Sequence, residues 1–81
     1  MSLDIKHIIH KNCTEILLSG KGLAEKDFSP LIQITSEQIK SHSPNLILNL
    51  KNLNLINSIG LNAFIKIFTK SRNAGGELYI D

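Results

Sequence analysis

Tryptophan is absent from this chain, cysteine occurs once and proline twice. A single cysteine, Cys13, closes no internal disulfide. That argues against a disulfide-stapled secreted fold and fits a reducing, cytoplasmic setting. The apolar runs, Leu46-Ile47-Leu48 among them, fall far short of the roughly 20 residues of a membrane span. The first residues carry neither the basic region nor the apolar stretch of a signal peptide. Charge of one sign is also scarce. The net charge is +2, and the basic residues are interleaved with acids, so the electrostatic footprint of a nucleic-acid binder is missing. The expectation is a cytoplasmic protein with no membrane insertion and no nucleic-acid partner.

What is present fits one small domain over residues 1–81. Hydrophobic residues make up 42% of the chain, chiefly Ile and Leu. A domain of this size buries only about 60–65% of the surface its unfolded chain exposes, so each core residue counts.

Asp4 to His10 reads as a strand, with Lys11-Asn12 as a turn. Thr14 to Ser19 reads as a second strand, antiparallel to the first because the connection is short. Gly20-Lys21-Gly22 breaks the pattern, and Leu23 to Asp27 reads as a loop. Ser29-Pro30 is a helix-start signal, Ser as N-cap and Pro at the first helical position. The helix runs to about His42, with Phe28, Ile32, Thr35 and Ile39 as its inward stripe and Leu31 beside it. Ser43-Pro44 stops it. Asn45 to Leu50 is a strand whose unbroken apolar run suits burial on both faces, and Leu53 to Ile56 continues apolar through a bend. Ser58 to Asn73 is the clearest helix, with Leu61, Phe64, Ile65 and Phe68 on one face. Gly75-Gly76 ends it, and Leu78 to Ile80 begins a last strand. The order is β-β-α-β-α-β, an α/β fold with helices packed on a mixed sheet. Its last two strands are parallel across a crossover.

Asn57-Ser58-Ile59-Gly60 stands where a buried strand hands over to that amphipathic helix. The first amides of a helix have no partner within it. Asn57 or Ser58 can accept from them, a cap that contributes about 1 kcal/mol. Gly60 has no side chain, so another surface can approach the backbone closely. Ser58 has a second reading as a phosphorylation switch. A phosphate adds about −1.5 to −2 charges, and a helix N-terminus tolerates them. The fold then survives while the surface shown to a partner changes.

The residues that carry this junction also carry a likeness. Asn45 to Leu50, then Ile56-Asn57-Ser58-Ile59-Gly60-Leu61, then Asn73-Ala74-Gly75-Gly76-Glu77-Leu78 resembles the STAS domain. That family includes bacterial anti-sigma factor antagonists and the cytoplasmic domains of sulphate transporters. The resemblance spans Ile5 to Ile80. It implies that Ser58 is the phosphoacceptor and that Asn57, Ser58, Ile59, Gly60 and Asn62 form the partner-binding surface. The implied partners are an anti-sigma factor that is also a serine kinase, and a serine phosphatase that resets the switch. No cofactor, metal or catalytic residue is implied. Two positions depart from the family pattern. Asn57 stands where an acidic residue is usual, keeping the capping role without the charge, and Ile59 replaces a small polar residue. The family's C-terminal helical part has no counterpart before Asp81, so the resemblance leads one to expect a chain truncated there.

A STAS-type module of a transporter or larger regulator, binding without phosphorylation, is the alternative function. Two further readings are weaker. Leu50, Leu53 and Leu55 mimic a leucine-rich repeat, but one copy buries no core. A small serine hydrolase would need a glycine where Ile56 stands and a histidine beside Ser58. His7, His10 and His42 lie on the first strand and at a helix end. His7 and His10 point to opposite faces of a strand, which makes them poor joint metal ligands.

Overall fold

The computed structural model describes residues 3–81. The elements follow the order β1 (Leu3–Ile9), β2 (Thr14–Gly22), α1 (Glu25–Ser41), β3 (Leu46–Ile56), α2 (Ser58–Asn73) and β4 (Leu78–Ile80). The sheet order is β1-β2-β3-β4. β1 pairs antiparallel with β2, whereas β2–β3 and β3–β4 are parallel. Two successive β-α-β crossovers of one hand place both helices on one face of the sheet. This is the mixed β-β-α-β-α-β architecture expected from the sequence. Among the described residues no helix is long and apolar enough to cross a membrane.

The core lies between that sheet face and the helices. Ile16 and Leu18 from β2 and Leu46 and Leu48 from β3 meet Phe28 and Leu31 from α1 and Ala63 and Ile67 from α2. Each strand contributes alternate residues to this layer, as the period of two demands.

α1 starts four residues before the Ser29-Pro30 signal. Its N-cap is Ala24, and Pro30 lies inside the helix. The reason is Asp27, whose carboxylate accepts from Leu23 N at 3.1 Å and from Ala24 N at 3.0 Å. A serine-proline pair offers one hydroxyl and one pre-set φ, and the carboxylate satisfies two amides with charge-assisted bonds. Pro30 then forfeits one helical hydrogen bond, and the burial of Phe28, Leu31 and Thr35 just beside it offsets that loss. Ile32 and Ile39, expected to face inward, are only half-buried.

The same two amides hold the Asp27 carboxyl below its ordinary pKa, Leu23 first and Ala24 second. A carboxylate depressed in the folded state stabilises above its unfolded value, about 3.9. That contribution fades as pH falls through the lower folded value. Thermal melts of wild type and Asp27→Asn are expected to differ at pH 6 and to converge towards pH 2. Parallel curves across that range would deny Asp27 its role at the start of α1.

β2 and β3 are also longer than expected from Gly20-Lys21-Gly22 and from the bend before Leu53. β2 continues through Gly20-Lys21-Gly22, and β3 is one strand without the expected bend. Two register irregularities, between Leu17 and Ser19 and between Gly20 and Lys21, keep the pair together. Gly20 takes a φ of 92° there, a left-handed conformation that glycine adopts freely. β1 is shifted one residue towards the N-terminus relative to expectation.

α2 has the expected bounds, but its apolar stripe is not the buried side. Gly60, Ala63, Ile67 and Ser71 face the core, whereas Leu61, Ile65 and Phe68 are exposed. Small residues let the helix axis approach α1 and the sheet, and Ser71 Oγ donates to Pro44 O at 2.6 Å. Phe64 is the exception in the stripe. It is half-buried and meets the Phe28 ring edge-on at 6.2 Å.

Candidate functional site

β3 ends at Ile56 and Asn57 continues in an extended conformation, φ −118°. Three bonds then converge on this one residue. Its Oδ1 accepts from Ile59 N at 3.1 Å, and its backbone oxygen accepts from Leu61 N at 3.1 Å. Its Nδ2 donates to Leu23 O at 3.0 Å. Asn57 is therefore the N-cap of α2 and the clip that joins the β3–α2 turn to the loop between β2 and α1. The β2–α1 loop thus lies beside this turn.

Ser58, the other capping candidate, is the first residue of α2 and is exposed. Its hydroxyl makes no hydrogen bond among the described residues. The cap and its free energy belong to Asn57, which leaves the Ser58 hydroxyl free for solvent, a partner or modification. No acidic side chain lies in the first turn of α2, so nothing within the helix neutralises the positive end of its dipole.

The remaining sequence-derived positions divide. Asn62, one turn on from Ser58, is exposed on the same outward side, and Ile59 is half-buried. Gly60 is buried. A Cβ there would sit 2.8 Å from Phe28 Cζ and 2.9 Å from Ile56 Cβ. The close approach its missing side chain permits is made by α1 and β3 of the same chain.

The sequence reading missed Leu23. Leu23 is 46% exposed, Leu55 49% and Leu61 55%. They come from the β2–α1 loop, the end of β3 and the first turns of α2. Leu23 and Leu61 lie beside the Asn57–Ser58 turn, whereas Leu55, next to the inward Ile56, points to the opposite side of the sheet. Leu23 and Leu61, two large apolar side chains left in water beside one exposed hydroxyl, are the kind of exposed apolar surface found at protein-binding sites. A leucine in a loop gives no sign in the sequence of whether a neighbour covers it.

The histidines are elsewhere. His10 Nε2 lies 3.0 Å from Glu15 Oε1, and His42 Nε2 approaches His10 O at 2.6 Å. Both stand by the start of β3, whereas Ser58 follows its end. The 11 residues of β3 separate them by about 30 Å. Glu15 accepts from Asn49 Nδ2 at 3.0 Å, and that bond, then the one with His10, holds its carboxyl below the ordinary value. No cluster of metal-ligating side chains occurs among the described residues.

Comparison with known proteins bears on the fold. No protein-family model and no curated protein matches the chain. Among solved structures, it is similar to the antisigma-factor antagonist STAS domain from Rhodobacter sphaeroides, with TM-score 0.75 and 12% identity over 98% of this chain and 85% of that one. The anti-sigma factor antagonist SpoIIAA in its unphosphorylated form superposes with TM-score 0.74 and 14% identity over 95% of this chain and 66% of that one. An anti-sigma factor antagonist from Mycobacterium paratuberculosis gives TM-score 0.70 and 18% identity over 98% and 68%. Element order, sheet topology and these superpositions agree: the chain has the STAS fold.

Proposed function

We propose, from the STAS fold as premise, that this chain is an anti-sigma factor antagonist-like regulatory protein. It binds an anti-sigma factor that is also a serine kinase, and phosphorylation of Ser58 by that kinase ends the binding until a serine phosphatase resets it. One observation carries the reading: the Ser58 hydroxyl is exposed and unbonded at the head of α2, beside exposed Leu23 and Leu61. The leucines supply apolar area that becomes dry when a partner docks. A phosphate set beside them brings about −1.5 to −2 charges into that contact, and desolvating it opposes association. The same phosphate is compatible with the fold, because the helix N-terminus favours an anion. Binding is thereby switched without unfolding.

A STAS module that binds through the same patch without phosphorylation is the second reading, and Asn57 favours it. Its carboxamide donates to Leu23 O, a bond that the family's usual carboxylate would not make. The charge next to the serine has been exchanged for a clip between two loops.

The test is phosphate transfer from ATP by the serine-kinase anti-sigma factors of the source organism, with partner binding measured in parallel. Wild type is expected to be labelled and Ser58→Ala not. Ser58→Asp should weaken partner binding at least about tenfold while Tm stays within a degree or two, since an exposed, unbonded side chain contributes little to stability. Equal labelling of Ser58→Ala removes Ser58 as phosphoacceptor. Binding without any labelling selects the second reading.

A further inference from the structure

Above the core, the facing flanks of α1 and α2 do not close on each other. A cleft of about 420 Å³ opens between Ile32 of α1 and Ile59 and Lys66 of α2. A second of about 290 Å³ lies between Ile39 and Lys40 of α1 and Lys70 of α2. The lining of the second cleft continues that of the first along the same sides of both helices, at three- and four-residue steps, so the two clefts are successive stretches of one groove. It runs from Glu25 at one end to Lys40 at the other, about 22 Å at the helical rise.

The charges along it are lopsided. Every ionisable residue of α2 is basic. Arg72 is paired with Glu77 at 3.0 Å, but Lys66, Lys70 and Lys40 have no carboxylate within ion-pair distance among the described residues. Glu25 is the sole acid on the lining. Half-buried isoleucines floor the groove and three unpaired ammonium groups stand on its walls.

We propose that this groove receives an amphipathic α-helix of a protein partner, its apolar stripe flanked by Asp and Glu. Ile32 and Ile59 at one end of the groove and Ile39 at the other, about 10 Å apart along α1, meet apolar residues about two turns apart in the i, i+3, i+4, i+7 stripe of such a helix. The lysines on both walls match carboxylates on either side of that stripe, which adds steering and register. A groove of about 22 Å takes four turns of helix. Other polyanions match the lysines alone. A lipid surface is flat and leaves the floor unreached, and a nucleic acid would lay phosphates over isoleucines, desolvating charge without a partner. The groove lies on the flank of α2 turned away from Leu61 and Phe68, with Ile65 of that stripe at its edge, so it is a second surface that adjoins the one at Ser58. Asn62 stands where the two adjoin.

The probe is a fluorescein-labelled synthetic helix of about four turns, leucines on one face and glutamates flanking them, titrated into the full chain by anisotropy. A twin peptide carries lysine at every glutamate position. Wild type is expected to bind the acidic peptide at least tenfold more tightly than the basic one, with affinity falling as salt is raised. Lys66→Glu combined with Lys70→Glu should invert that preference, and Ile32→Asp should abolish binding of both peptides. The exchange of preference does not depend on Ile32→Asp folding, and a melt of each variant accompanies it. Equal binding of the two peptides, or an unchanged preference in the double variant, overturns the proposal. So does lysine-dependent binding that occurs with phosphatidylglycerol vesicles or an oligonucleotide while the acidic peptide fails. Ser58→Asp leaves the acidic peptide's affinity within a few-fold, which separates this groove from the switch proposed above.

Discussion

Phe28→Ala is expected to remove about 3–5 kcal/mol of stability. Phe28 is 2% exposed and fills the space above two glycines. A Cβ on Gly22 would overlap its ring, and one on Gly60 would come within 2.8 Å of it. Neither glycine can reach into the void that alanine leaves, so the cavity collapses poorly and the cost falls at the high end. A chain of 81 residues has a total stability of about 4–12 kcal/mol, and much of it is lost. Urea unfolding is the measurement: the midpoint should fall by more than a third, with the m-value unchanged. Phe64→Ala, at the half-buried edge partner, should cost about half as much. A larger effect at Phe64 would place the centre of the α1–α2 contact there instead. Because Gly60 is two residues from Ser58, Phe28→Ala also loosens the head of α2, and partner binding is expected to fall with stability.

Gly76→Ala is the second large effect. A Cβ on Gly76 would overlap the backbone carbonyl of Pro44, which cannot swing aside as a side chain can. That carbonyl also accepts from Ser71 Oγ, and Gly76 N donates to Ser71 O at 2.8 Å. Three elements, the end of α2 and the starts of β3 and β4, meet at this point. Added volume there costs about 1–3 kcal/mol, and the displaced Ser71 hydroxyl, fully buried, loses its partner at about 1–3 kcal/mol more. The adjacent Gly75 differs in kind. Its φ is +86° and nothing lies within 4 Å of the place a methyl would take, so alanine there costs only the left-handed strain, about 1–2 kcal/mol. The expected order in thermal melts is wild type, then Gly75→Ala, then Gly76→Ala. Reversal of the two variants would mean that α2 ends on conformation and not on contact.

The two glycines illustrate how far the sequence can be read. Gly75-Gly76 marks the end of a helix, and a helix does end there. Their separate duties, one turning the chain and the other letting α2 touch Pro44, depend on a residue 32 positions earlier. The start of α1 departs from its expected signal for a different reason, a competing signal that is itself local. Ser29-Pro30 acts over a few residues, and Asp27 overrides it by reaching back to two loop amides. At the candidate site, the strand-to-helix junction and Ser58 are legible because capping residues follow a buried strand. The choice of Asn57 as the cap is not. It rests on a bond to Leu23 O from 34 residues away.

What the sequence determined by itself is the set of elements, their order and the place of the junction. Period, caps and breakers act over a few residues, and those are printed in the chain. The tertiary structure alone decided which side of α2 is buried. Leu61, Phe64, Ile65 and Phe68 make the more apolar face, yet Gly60, Ala63, Ile67 and Ser71 turn inward, because close packing against Phe28, Ile56 and Pro44 rewards small side chains. That choice left Leu61 in water beside Ser58, and the facing flanks of α1 and α2 parted into a basic groove. A sequence shows which residues are apolar. Contact between distant segments settles which of them are covered, and the binding surfaces are what remains.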